Sequence, residues 1–204
     1  NQNSESINVI VNNGQKTLGP GYARSIKQTT DGGYIVTGWR YVLKLNSDGS
    51  LAWQTFGSDS AYSIQQTTDG GYIVAGSTNS FGAGRGVYIL KLNSNGTLIW
   101  EKTFGGGLDD EAYSIQQTAD GGYIVAGSTN SFGAGYEDVY VLKLNSDGSL
   151  AWQNTFGGNV YDRAYSVQQT TDGGYIVAGS TNSFGTGYED VYVLKLNSDG
   201  SLAW

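Results

Sequence analysis

Residues 112–156 read AYSIQQTADGGYIVAGSTNSFGAGYEDVYVLKLNSDGSLAWQNTF. Two β-rich runs, 112–118 and 123–129, flank Ala119-Asp120-Gly121-Gly122, a tight-hairpin signal. A third run, 139–144 (VYVLKL), alternates β-branched, aromatic and aliphatic side chains. It leads through Asn145-Ser146-Asp147-Gly148 into a fourth, 149–156. In that turn Asp-Gly supplies the positive-φ positions, and Asn and Ser can bond the local backbone. Nowhere do apolar residues recur at i, i+3, i+4, i+7 over a helical length. The stretch predicts a four-stranded antiparallel meander.

The same phrase spreads over the chain. Asp-Gly-Gly-Tyr begins at Asp31, Asp69, Asp120 and Asp172, spacings of 38, 51 and 52. Leu-x-Trp places tryptophan at 53, 100, 152 and 204, so four copies run from about Ala23 to Trp204 with no linker between them. A lone meander cannot bury both of its faces, so neighbours must stack. A four-stranded unit of about 40–50 residues in tandem marks a β-propeller; the coils of a linear β-solenoid, its main rival, are usually shorter. The expectation is all-β: one domain over residues 1–204, with four-stranded blades at about 22–57, 58–107, 108–158 and 159–204.

Composition closes several routes to function. Cysteine, histidine and methionine are absent, which excludes disulfides, thiolate chemistry, Cys/His zinc sites and Ser-His-Asp or Cys-His catalytic sets. A formal charge of −7 argues against a nucleic-acid partner, whose phosphates demand clustered Lys and Arg. No apolar run approaches 18 residues and no export signal is expected in the chain as given. Few charged residues (14%) and many Asn, Gln, Ser, Thr and Tyr point to an extracellular or cell-surface setting. Asn95-Gly96-Thr97 is the lone N-glycosylation sequon, a number close to chance in such a chain.

The order of strand, DGG, YIVAGS, VYVLKLNSDGSLAW and TFGG resembles the blade repeat of quinoprotein-type (PQQ-like) and kelch-like propellers. It is more similar still to repeats common in secreted bacterial and archaeal surface proteins. The likeness implies that Trp53, Trp100, Trp152 and Trp204 dock one blade against the next. It also implies that each first strand is innermost and each tryptophan strand outermost. It specifies fold and hardly any activity.

Repeated residues serve first as packing, because catalysis needs unlike groups converging on one centre. A quinone enzyme rests on the blade motif alone, and a glycosidase would need one pair of carboxylates across a cleft. The expectation is no enzyme and no cofactor. Function gathers on long loops. The longest are residues 130–138 (NSFGAGYED) and 182–190 (NSFGTGYED), on one face with inter-blade loops such as 105–111. Phe81, Phe132, Phe184, Tyr136 and Tyr188 are its candidate stacking platforms. In the first copy only Trp39-Arg40 separates Gly38 from Tyr41, ten residues fewer than between Gly127 and Tyr140. Trp39 and Arg40 are therefore candidates for ligand contact in a notch. Asp59, Asp110 and Asp162, each two residues before the alanine of an inner strand, are candidate Ca²⁺ ligands at the channel mouth, as are Glu137-Asp138 and Glu189-Asp190 locally. Strand-start capping by Asp is the simpler reading.

These readings converge on a non-catalytic structural or protein-interaction module, with a carbohydrate-binding lectin as the competing class. Residues 15–19 (QKTLG) match residues 101–105 (EKTFG), the outer-strand half that follows tryptophan. The expectation is that residues 7–18 pair with the outer edge of blade four and close the ring. The alternatives are half of a larger propeller, or strand exchange between chains.

Overall fold

The structure is a computed structural model; it describes residues 9–19, 21–80 and 82–204, without the side chains of 9, 12 and 56–59. Its described residues hold strands and turns and no helix. The strands are β1 (Val9–Asn12), β2 (Gln15–Leu18), β3 (Ala23–Gln28), β4 (Tyr34–Leu45), β5 (Leu51–Gln66), β6 (Tyr72–Thr78), β7 (Gly86–Leu92) and β8 (Leu98–Phe104). They continue as β9 (Asp110–Gln117), β10 (Tyr123–Thr129), β11 (Asp138–Leu144), β12 (Leu150–Phe156), β13 (Asp162–Gln169), β14 (Tyr175–Thr181) and β15 (Asp190–Leu196).

The third sequence copy is the meander expected from its turns, an antiparallel sheet in the order β12-β11-β10-β9. A bulge shifts the β9–β10 register at Ala126/Gly127. Gly127 is required there, since a Cβ would lie 1.9 Å from the Glu111 carbonyl oxygen. The Asp-Gly-Gly turn is held by its own aspartate: Asp120 accepts from Thr118 and from the Gly122 amide. The ammonium of Lys143, on β11, reaches the same carboxylate at 2.9 Å. Asp31–Lys44, Asp69–Lys91 and Asp172–Lys195 repeat this pair. Burial alone would raise the Asp69 and Asp120 pKa values, but hydrogen bonds from Thr67 or Thr118 and from lysine outweigh it and bring both down to about 2. Lys44 holds Asp31 below the usual carboxylate range, and Thr170 does so for Asp172.

The first two copies depart from separate blades, sharing one six-stranded sheet, β3 to β8. β5 runs unbroken from the outer strand of copy one into the inner strand of copy two. β4 holds two arms. Twelve extended residues would span about 40 Å, yet a Cβ on Gly33 would lie 2.3 Å from the Leu45 carbonyl oxygen, so the chain folds back on itself. The reversal is at Trp39-Arg40, with Arg40 left-handed at φ 70°. With the long loop missing, Trp39 itself pairs with Ser60 on β5, which ties the two copies together.

The units stack face on face. Ile35 and Val42 of copy one meet Ile64, Tyr72, Val74 and Leu92 of copy two. Ile73, Ala75, Val87 and Ile89 of copy two meet Ile115, Tyr123, Val125 and Leu142 of copy three. Ile124, Ala126, Val139 and Val141 of copy three then meet Val167, Tyr175, Val177 and Leu194 of copy four. The inner strands face a shared polar channel of about 560 Å³, lined by Ser63, Gln65, Ser114, Gln116, Ser166 and Gln168 together with Lys27.

Residues 7 and 8 of the expected closing segment lie outside the described residues, and among the described ones the expected closure is not seen. β2 pairs with β1 in a separate two-stranded sheet, and copy four holds only β13-β14-β15. Past β15 the chain returns merely as a bridge, Leu196–Leu202. The reason lies in packing: Leu18 is engaged on Val36, Leu43 and Leu45 of copy one, on the face away from copy two. Among the described residues no strand of copy four packs closely on a strand of copy one.

Candidate functional site

The long loops and the inter-unit loops share one face, as their lengths suggest, and backbone bonds knit them. Asp110 N donates to Arg85 O, Asn130 N to Asp109 O, Asp162 N to Glu137 O and Asn182 N to Tyr161 O. Side chains complete the weave. Arg85 pairs with Asp109 at 3.1 Å and with Glu111. Arg163 pairs with Glu137 at 2.6 Å, which holds its guanidinium more firmly charged than usual.

Carboxylates are plentiful on this face and engaged in holding it. Asp110 is fully buried, accepting at Oδ2 from Gly106 N and Ser131 Oγ and at Oδ1 from Thr129. Asp162, also fully buried, accepts from Gly158 N and Ser183 Oγ. Asp138 and Asp190 each accept two amides of their own loops. Among the described residues no three acidic groups gather as a metal would require. Asp110 and Asp162 thus sit apart as loop anchors at their strand starts, and the side chain of Asp59 lies outside the described residues.

The candidate aromatics divide. Phe132 is half-buried, tilted on Tyr140 at 5.7 Å and packed against the core. Phe184 takes the same pose on Tyr192 but is exposed, and Phe81 lies outside the described residues. Tyr136 stacks on Tyr161 at 5.6 Å, and Arg163 lies over Tyr161. Tyr188 is 97% exposed.

Trp39 and Arg40 belong to a larger feature. Trp39, 41% exposed, lies under Arg40 and stacks on Tyr22 at 6.1 Å. Arg24 bridges Tyr22 to Tyr62, lying 4.5 Å from the latter's ring centre. Tyr62 meets Tyr113 at 5.2 Å, and Tyr113 meets Tyr165 at 5.8 Å. Burial first, and then Glu111, pushes the Tyr113 hydroxyl pKa up. A continuous row of rings, with Arg40 at one end and Arg24 between Tyr22 and Tyr62, therefore follows the loop-face ends of the four inner strands. Sequence reasoning missed most of it. The signal was present: the residue after each inner-strand alanine is Arg24, Tyr62, Tyr113 or Tyr165. Each looked like one more repeated packing residue until the strands converged.

The tryptophans show how units engage. A Cβ on Gly96 would lie 2.6 Å from the Trp53 ring, one on Gly148 2.9 Å from Trp100, and one on Gly200 2.8 Å from Trp152. Each indole also meets the tyrosine after the next unit's Asp-Gly-Gly: Trp53–Tyr72, Trp100–Tyr123 and Trp152–Tyr175, all near 60–70° edge-on. Trp204 is 67% exposed.

Comparison with known proteins agrees at the level of fold. Residues 67–98, 118–150 and 170–202 match the family described as "Domain of unknown function (DUF5122) beta-propeller". No curated protein matches the chain. Solved structures do. A protein of unknown function from Bacteroides caccae aligns at 15% identity and TM-score 0.59, over 90% of this chain and 60% of its own. The Neurospora crassa Pan2 WD40 domain aligns at 16% and 0.61, over 92% and 55%. BamB from Moraxella catarrhalis aligns at 14% and 0.51, over 91% and 51%. This chain therefore spans between half and two thirds of those proteins. Among its described residues no helix is long and apolar enough to cross a membrane. Repeats, stacked antiparallel sheets and these likenesses together give the chain a β-propeller fold, three stretches of which are similar to that family.

Proposed function

We propose that this chain is a non-catalytic interaction module of an extracellular or cell-surface protein, binding a protein partner across its loop face. One contrast carries the reading. The aromatic and cationic row from Arg40 to Tyr165 reaches solvent at Tyr22, Trp39 and Tyr165, whereas the buried loop-face aspartates are bound to their own backbone. Exposed aromatic and arginine groups on a rigid scaffold suit recognition. Acids already committed to structural bonds are poor candidates for proton transfer. The reading needs no cofactor. A lectin is the second reading, favoured by the flat stacked pairs Tyr22–Trp39 and Tyr136–Tyr161.

A glycan array run with the chain and with a Trp39→Ala/Tyr165→Ala variant separates the two. The protein-interaction reading expects no saccharide preference from either. A saccharide signal that the variant loses would replace it with the lectin reading.

A further inference from the structure

We infer that the polar channel between the inner strands is a binding site for an oxyanion, a carboxylate, sulfate or phosphate group, held by Lys27 and by hydrogen-bond donors of blades two and three. This inference is independent of the loop-face reading. It rests on the junctions of blade one with two, two with three and three with four, all of which lie inside the chain.

Bonds across those junctions fix what the channel wall offers. Gln65 Oε1 accepts the Gln117 amide at 2.8 Å, and Gln116 Oε1 accepts the Gln169 amide at 2.7 Å. A backbone N–H only donates, so each carboxamide is set with its oxygen on the next blade and its NH2 left over. Ser63 and Ser114 accept the Ile115 and Val167 amides in the same way, which leaves each hydroxyl its proton to give. Serine and glutamine stand two residues apart on one strand, so both face the channel. The wall of blades two and three therefore presents a surplus of donors. An oxyanion, which only accepts, answers that surplus better than a sugar hydroxyl, which must also donate.

A departure from the repeat adds the charge. Where blades two, three and four carry Gln65, Gln116 and Gln168, blade one carries Lys27, which lines the same channel. Lysine has no acceptor, so this position forgoes the bond that Gln65 and Gln116 make to the blade after them. Blade two does follow blade one in this chain, so the missing bond is no consequence of where the sequence starts. A repeat that gives up a structural bond at one position does so where another demand acts.

The electrostatic surroundings leave that cation uncancelled. Lys44, Lys91, Lys143 and Lys195 each pair with the aspartate of an Asp-Gly-Gly turn, whereas Lys27 is exposed and in no ion pair among the described residues. The carboxylates flanking the inner strands have cations of their own: Asp69 has Lys91, Asp120 has Lys143 and Glu111 has Arg85. In a chain of formal charge −7 a cation set among donors marks a place for negative charge. The channel's volume of about 560 Å³ is that of a small-molecule site and leaves room for more than the anionic group itself.

NMR titration of the 204-residue chain with citrate, sulfate and phosphate, at constant ionic strength, tests the site. The side-chain NH2 signals of Gln65 and Gln116 should move with at least one anion, with a dissociation constant of about 1 mM or lower. A response to citrate alone would assign a carboxylate, and a response to sulfate and phosphate alone a tetrahedral oxyanion. Two variants keep the fold. Lys27→Gln restores the residue of the other copies, and Gln116→Glu keeps an oxygen for the Gln169 amide while replacing the NH2 donor. Each should weaken binding at least about tenfold, with an unchanged circular dichroism spectrum. Signals that stay still at about ten times the stated concentration of all three anions would overturn the inference. So would binding that survives both variants, which would place the anion elsewhere. Binding lost with Lys27→Gln but intact in Gln116→Glu would also overturn it, since a lone lysine would then attract anions without the donor wall.

Discussion

At the residue scale, a few side chains hold unusual states for visible reasons. The aspartates of the Asp-Gly-Gly turns face lysines that are themselves mostly buried on the neighbouring strand. Their folded pKa values lie below the unfolded value of about 3.9, near 2 for Asp69 and Asp120. The stability they contribute is therefore complete above about pH 4 and lost as pH falls through about 2. The melting temperature should be level from pH 7 to 5 and drop steeply between pH 4 and 2. Asp120→Asn should lower it at pH 7 and make that acid drop shallower; an equally steep drop in the variant would show that other groups set it. Arg40 is a different case, a non-glycine residue at φ 70°. Left-handed backbone costs a side-chain-bearing residue about 1–2 kcal/mol, against which glycine's extra chain entropy costs about 0.5–1 kcal/mol. Arg40→Gly should stabilise by roughly 0.5 kcal/mol, seen as a rise of about 1–2 °C in melting temperature. If the chain unfolds earlier instead, the cation over Trp39 matters more than the strain.

At the element scale, hairpins were readable because Asp-Gly-Gly and Ser-Asp-Gly turns state both their geometry and their place between alternating runs. The fused sheet of copies one and two was less so. The ten-residue gap at Trp39-Arg40 was plain in the sequence, but it was read as a notch. Trp39 bridging to Ser60, and β5 running unbroken between copies, are tertiary results of that gap. The aromatic row escaped for the same reason, since it exists only between strands that are distant in sequence. Units engage through their tryptophans, and that engagement should be measurable. Trp100→Ala should cost about 3 kcal/mol, since the ring lies on Gly148 and Tyr123. Trp204→Ala should cost under about 0.5 kcal/mol in dilute solution, as an exposed site does. Equal losses at both positions, by chemical denaturation, would mean that Trp204 is already covered. Lys27 offers the opposite change. It stands where Gln65 and Gln116 accept an amide from the next blade, and lysine has no acceptor. Lys27→Gln should add about 1 kcal/mol through one more inter-blade bond; no gain would mean that the Gln66 amide is satisfied otherwise.

At the scale of the whole molecule, the repeat and the stacking of neighbouring copies were legible, because every copy carries the same two faces. Whether the last face meets the first was not. Sequence identity between copies makes each junction look equally available, and only the packing of Leu18 on Val36, Leu43 and Leu45 shows where β2 settles. The arc that results has a stability gradient along it. β10 and β11 are buried along their whole length, whereas β15 alternates with exposed positions and β3 is mostly exposed. In stacked repeats each unit draws its stability from its neighbours, so end units open first. Amide hydrogen exchange at low protein concentration should accordingly be slowest in β10 and β11 and fastest in β3 and β15. Uniform protection across all four blades in dilute solution would show that the arc is closed within one chain.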